Sequence, residues 1–259
     1  MADLVLIAAL AIAILMLATW VVSVIVNDVS IVDIVWGFGF VVASWAAYLF
    51  GPLDTLADRP LLILVLVTVW GLRLTGYLAW RNIGKSEDRR YQQMRKKSPD
   101  AFWIISLFKV FGLQAVLMWV VAVPPVVTQA SDGPLYWLDF VGVGLFAVGL
   151  FFESFGDFQL ARFRTRPDSK SGVMDSGLWR YTRHPNYFGD FCVWWGIYLV
   201  ALAGGAWWAI FSPIVMSFLL IRVSGVLLLE KSISRRRPGY EAYVERTNAF
   251  FPGPPKRRA

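Results

Sequence analysis

Long runs without a charged side chain alternate with short basic stretches along this chain. The first run lies between Asp3 and Asp28, and the second between Asp33 and Asp54. A third extends from Arg59 to about Arg81 with Arg73 inside it, and a fourth lies between Lys109 and Asp132. A fifth goes from Leu138 to about Ala161, interrupted by Glu153 and Asp157. No charge stands between Asp190 and Arg222, and Gly204-Gly205 divides that stretch into runs at about 186–203 and 207–230. A helix crosses the hydrocarbon core with about 20 mostly apolar residues. A lipid-exposed backbone must satisfy its own hydrogen bonds, and no short alternating segments of a barrel are present. The pattern predicts an all-α polytopic membrane protein: one domain over 1–259 with seven transmembrane helices and no Rossmann domain. The first run lacks a basic flank and exceeds the length of a signal-peptide core, so it reads as a spanning helix.

Composition agrees. Of 259 residues, 57% are hydrophobic and 17% charged, with 13 Trp and 19 Phe, and mean hydropathy is +0.56. Soluble domains carry about 25% charged residues. The single Cys192 allows no intrachain disulfide, and the single His184 excludes a multi-histidine metal site. No polar stretch is long enough for an independent soluble core.

Charge then orients the chain. The loops 81–106 and 157–185 and the tail 231–259 hold 21 of the 25 Lys and Arg residues. With seven crossings they share one side, and the opposite loops contain only Arg59. Basic loops stay cytoplasmic, so the amino terminus is expected outside and the carboxyl terminus inside a bacterial inner membrane. The net charge of +7 is then a one-sided surface rather than a nucleic-acid signature.

Ionisable groups within spans are costly and default to function or to interhelical pairing. Arg73, Tyr77 and Arg81 are spaced by four and share one helix face, as do Glu153 with Asp157 and Asn186 with Asp190. Asp33 enters the second span, and Glu230 lies on the seventh. A polar cavity opening to the cytoplasm accounts for five spans contributing such faces. Between spans five and six stand Arg162, Arg164, Arg166, Lys170, Arg180 and Arg183, and the cytoplasmic loop 162–185 leads into His184-Pro185-Asn186-Tyr187. Pro185 suits a first helical turn. The helix start that follows offers free N–H groups to an anion, and arginines offer forked donors to phosphate. The tail adds Arg236 and Tyr243. A ligand with several phosphates fits this set.

Gly142-Val143-Gly144-Leu145-Phe146-Ala147 imitates a dinucleotide fingerprint, but it sits inside an apolar run without a preceding strand, so its context fails. Its glycines suit close helix packing instead. No Walker loop, HExxH, CxxC or GxSxG occurs, and Cys192 suits packing better than nucleophilic work.

The stretch Gly177-Leu178-Trp179-Arg180-Tyr181-Thr182-Arg183-His184-Pro185-Asn186-Tyr187-Phe188-Gly189-Asp190 resembles the signature of the steroid 5α-reductase family, closest to its bacterial integral-membrane branch. Arg237-Pro238-Gly239-Tyr240-Glu241-Ala242-Tyr243, Ser30 to Gly37 and Trp70-Gly71-Leu72-Arg73 are similar too. The resemblance implies a seven-helix enzyme that transfers hydride from NADPH to a 3-oxo-Δ4 steroid or similar enone lipid. It implies that Asn186 and Asp190 contact the cofactor, with Asp157, Arg162, Arg164, Arg166 and Arg73 near it. Arg81, Lys170, Arg183, His184, Tyr187, Glu230, Arg236 and Tyr243 complete the expected cofactor set. Mammalian relatives polarise the ketone with a Gln-Glu pair and a Tyr. Here the pair is absent and Trp70 stands at the Tyr position, leaving Asp33, Glu153 and Tyr77 as candidate catalytic groups.

The alternative is a membrane methyltransferase of the isoprenylcysteine carboxyl type, which also carries an Arg-His-Pro-x-Tyr turn and uses S-adenosylmethionine. A non-enzymatic lipid-binding or transporter-like protein is the third reading, although repeated halves are lacking. The expected partners are an apolar lipid substrate and membrane lipid, with no metal, nucleic acid or protein partner.

Overall fold

The computed structural model describes residues 1–51, 58–170, 172–223 and 239–256. Among them there are helices and no strands. The helices are α1 (Ala2–Val26), α2 (Ile31–Phe50), α3 (Asp58–Asn82), α4 (Arg89–Lys97), α5 (Phe102–Val121), α6 (Val123–Val127), α7 (Trp137–Arg164), α8 (Pro185–Ala203), α9 (Trp207–Val223) and α10 (Tyr240–Arg246).

Five of these, α1, α2, α3, α5 and α7, are long and apolar enough to cross a membrane, which corrects the expected seven. The sixth expected span is a 19-residue helix, α8, but Pro185, Asn186, Tyr187 and Asp190 dilute its apolar character. The described part of the seventh ends at Val223, so Glu230 lies outside the described residues, as does Arg236.

The fourth span is also shifted. It begins at Phe102 rather than after Lys109, and Lys109 sits exposed on a π-helical turn, Leu107–Gly112, inside it. A lysine stem can lie along apolar surface while its ammonium reaches water, so this charge need not end a span. At the other end Pro124 and Pro125, which donate no backbone N–H, open the separate short helix α6.

The chain divides into two compact units. The first comprises Met1–Asp139 and Val200–Ser212, and the second Phe140–Leu199 and Pro213–Ala259.

In the first unit α1 buries only the stripe Leu4, Ala8, Ile12, Met16, Thr19 and Ser23. Its remaining apolar surface, including Leu6, Leu10 and Ile14, is exposed. A helix apolar all round with one narrow packed stripe is what lipid solvent permits. α1 ends on Asn27 in the left-handed region (φ 54°), with its N–H bonded back to Ser23. α2 and α3 meet backbone to backbone: a Cβ on Gly37 would stand 2.7 Å from the Gly71 carbonyl oxygen, and one on Gly71 2.6 Å from that of Gly37.

At the start of α3, Arg59 is 2% exposed and pairs with Asp139, which is fully buried. Its Nε donates to Asp139 Oδ1 at 2.9 Å and its Nη2 to Oδ2 at 3.0 Å. Nη2 also donates to the Pro134 carbonyl at 2.7 Å, and Nη1 to that of Asp132 at 3.3 Å. Asp139 in turn accepts from the Tyr136 N–H at 2.9 Å. Arg59 is thus a structural clamp with four of its five N–H donors engaged.

In the second unit, glycines seven apart on α7 meet glycines seven apart on α8. A Cβ on Gly149 would lie 2.5 Å from the Gly189 carbonyl oxygen, and one on Gly196 2.7 Å from that of Gly142. Gly156 faces Pro185 and the N–H of Asn186, 3.2 Å from its would-be Cβ. Small residues let apolar helices approach this closely. Of the two glycines in the false dinucleotide motif, Gly142 packs in this way and Gly144 faces open space.

A candidate polar site on two glycine-joined helices

Because α7 and α8 touch along their backbones, their polar side chains are forced together. Glu153 and Asp157, one turn apart on α7, are 3% and 5% exposed. Asn186 Nδ2, at the start of α8, donates to Asp157 Oδ1 at 3.2 Å. Asp190, one turn on, is half-buried. Gly189 abuts the backbone N of Glu153, which holds the two acidic turns at the same level. The unbonded N–H groups of the first turn of α8 add partial positive charge beside the Asp157 carboxylate.

The loop before α8 is built to hold that turn. Gly177 adopts φ +62°, a conformation glycine supplies without strain, and its Cα sits against Gln159 of α7. Gln159 Oε1 accepts from the Leu178 N–H at 3.0 Å, and Trp179 Nε1 donates to the Gly156 carbonyl at 3.1 Å. Thr182, fully buried, donates through Oγ1 to the Phe250 carbonyl at 2.7 Å.

The Arg183 N–H donates to the Asn248 carbonyl at 2.9 Å, and its Nη1 to the carbonyls of Thr247 at 2.6 Å and Val244 at 3.1 Å. Gly253 N–H closes the strap on the Tyr181 carbonyl at 3.1 Å. Tyr243 Oη donates to the Trp179 carbonyl at 2.5 Å. Burial pushes the Tyr243 phenol above its ordinary range. Arg246 and Asp175 form an ion pair on the exposed side of the strap. Arg183 and Tyr243, both expected to meet cofactor, therefore make bonds that tie residues 244–253 to the loop.

His184 is buried and its ring stacks on Tyr187, with centroids 5.7 Å apart and planes 17° apart. Arg162 and Arg164, in the last turn of α7, and Arg166 just beyond it are exposed. Lys170 closes the short turn Pro167–Lys170.

The remaining candidates belong to the first unit. On α3 the guanidinium carbons of Arg73 and Arg81 lie 5.5 Å and 5.6 Å from the Tyr77 ring centroid, so the spacing of four does produce one shared face. Asp33 is engaged through both oxygens: Oδ2 accepts from Arg90 Nη2 at 2.8 Å and Oδ1 from Tyr91 Oη at 2.9 Å. Gln114 Nε2 donates to Tyr91 Oη at 3.3 Å. Burial, then the neighbouring Asp33 carboxylate, raise the Tyr91 phenol well above its ordinary value. Sequence reading does not find Tyr91 and Gln114, because nothing local links them to Asp33, 58 residues from Tyr91.

Among the described residues no group of three or more His, Cys, Asp or Glu could hold a metal ion. The site is thus an amide and three carboxyl groups on paired helices with arginines at the helix end. It can hydrogen-bond an amide or hydroxyl ligand at the first and meet phosphate at the second.

An uncharacterized protein of Schizosaccharomyces pombe is 27% identical over 263 residues, covering 90% of this chain and 75% of that protein. No solved structure matches. The family described as "Protein of unknown function (DUF1295)" matches residues 19–247. The chain, matched over nearly its whole length, belongs to the DUF1295 family.

Proposed function

We propose that this membrane protein is an NADPH-dependent reductase that saturates the C=C bond of a 3-oxo-Δ4 steroid or a similar enone lipid. The observation that carries the reading is the Asn186–Asp157 pair at the start of α8, with Glu153 one turn deeper and Arg162, Arg164 and Arg166 at the end of α7. The donor set suits the cofactor. Asn186 and Asp157 can meet a carboxamide or ribose hydroxyls, and the arginines can meet phosphates. Resemblance of the Gly177–Asp190 stretch to the steroid 5α-reductases supports the same reading. The proposed setting is a bacterial inner membrane with the basic loops cytoplasmic.

A bound nicotinamide supplies hydride chemistry. The chain's part is to orient it, exclude water and donate a hydrogen bond to the ketone oxygen as negative charge develops there. Glu153 and, as the alternative, Tyr77 are the candidates for that donation; both Asp33 oxygens already accept from Arg90 and Tyr91. His184, Tyr187 and Asp190 are proposed to line the nucleotide, and Arg183 and Tyr243 to hold the turn that presents it.

Thermal denaturation of the full chain in detergent tests the reading. NADPH is expected to raise the melting temperature while S-adenosylmethionine leaves it unchanged, since only a ligand that binds the folded state stabilises it. A shift with S-adenosylmethionine instead would assign the site to a methyltransferase. No shift with either would favour the non-enzymatic reading, a lipid-binding or transporter-like protein. A panel of enones should then drive loss of reduced-nicotinamide absorbance.

A further inference from the structure

α4 has two unlike faces. One is committed to the protein. Tyr91 is buried beneath it, Arg90 pairs with Asp33 and Asp88, and Arg95 donates to both Glu87 oxygens while its guanidinium stacks on Phe102, 4.5 Å from the ring centroid. Glu87 in turn accepts from the Val29 N–H, and Ser30 Oγ accepts from that of Asp88, so the helix is pinned to the α1–α2 turn. Asp88 caps it by accepting from the Arg90 N–H at 2.9 Å. Burial alone would raise the Asp88 carboxyl, but the Arg90 bonds outweigh it and leave the group below its ordinary value.

The other face is spent on nothing in the described chain. Arg89, Lys96 and Lys97, with Gln93 between them, fall at i, i+4, i+7 and i+8, a single helical stripe. All are exposed, as is Lys85 in the preceding turn, and none of the four cations has an acidic partner among the described residues. Trp80, two residues before the end of α3, is 69% exposed, and Trp103, at the start of α5, is 52% exposed. Exposed tryptophans at the ends of apolar helices mark the headgroup level of a bilayer. A rigidly held helix between two such markers therefore presents fixed cations at headgroup depth.

We infer that the outer stripe of α4 with Lys85 is a docking surface for the headgroups of anionic phospholipid. Charge complementarity selects the partner. The cations are unneutralised by the protein, and a negatively charged leaflet attracts each basic residue near its surface. Pinning by Tyr91, Arg90 and Arg95 means little ordering entropy is lost on contact. The surface lies in the first unit and does not depend on the reductase reading.

The test uses the full chain in phosphatidylcholine vesicles containing a minority of phosphatidylglycerol. Spin-labelled lipids report which headgroup is motionally restricted at the protein. Phosphatidylglycerol is expected to be preferred over phosphatidylcholine by about threefold or more, and high salt should erode the preference. The variant Lys85→Gln/Arg89→Gln/Lys96→Gln/Lys97→Gln should bring the ratio close to that of zwitterionic lipid. These side chains make no internal bond, so the fold is retained, which circular dichroism of the same sample checks. Arg180→Gln/Lys256→Gln, exposed cations of the second unit, should keep the preference. A wild-type ratio near unity, an unchanged ratio in the four-fold variant, or its loss in the second-unit variant would each overturn the inference.

Discussion

The carbonyl oxygen of Gly189 lies 2.5 Å from the place a Cβ on Gly149 would occupy, so α7 and α8 touch where neither has a side chain. Gly149→Ala must push the helices apart or distort them, since the obstructing atoms are backbone. Overpacking of this kind costs about 1–3 kcal/mol. Thermal denaturation should show that loss for Gly149→Ala and Gly189→Ala. Gly144→Ala, which meets open space, should leave the melting temperature within error.

The Arg59–Asp139 pair carries a second prediction. Removing one member of a buried ion pair costs about 3–5 kcal/mol, because the other charge is left uncompensated. Arg59→Met should therefore destabilise strongly in chemical denaturation. Arg59→Met/Asp139→Leu should recover much of the loss, since no buried charge remains.

The Asn186 amide bridges the start of α8 to the Asp157 carboxylate. Losing a hydrogen bond to a charged group costs about 1.5–3 kcal/mol. Asn186→Ala is expected to lower stability by about that amount and, by removing a proposed donor to the cofactor, to weaken NADPH binding by about tenfold or more. Equilibrium titration of nucleotide fluorescence would show it, and unchanged affinity would remove Asn186 from the proposed site.

Tyr243 offers a pH signature. Its folded-state phenol is raised by burial, so the protonated form is favoured in the native state. That stability is complete below the unfolded value of about 10 and is lost as pH rises from there through the folded value. Tyr243→Phe should flatten the alkaline fall in melting temperature while lowering stability near neutrality by about 1 kcal/mol through the lost bond to Trp179.

Helix positions along the chain are legible wherever an apolar run is bounded by charge, as for α1, α2, α3 and α7. Legibility fails where a boundary residue can serve two environments. Lys109 reads as the edge of a span, yet its flexible stem lets it sit inside one. Periodicity of four places Arg73, Tyr77 and Arg81 on one face, and the structure keeps them there. Spacing cannot reveal pairings that depend on tertiary approach. Asp33 reads as an acid at the entry to the second span, but Arg90 and Tyr91 reach it from α4, 57 and 58 residues away. Spacing likewise does not reveal that Arg183 Nη1 donates to the carbonyls of Val244 and Thr247.

The strap formed by residues 244–253 has a consequence for biosynthesis. The loop from Gly177 to Pro185 leaves the ribosome long before its partners Val244, Thr247, Asn248 and Phe250 exist. Nascent α7 and α8 can join through their glycines as soon as both have formed. The turn carrying Asn186 then waits, incompletely bonded, until residues 244–253 have been translated.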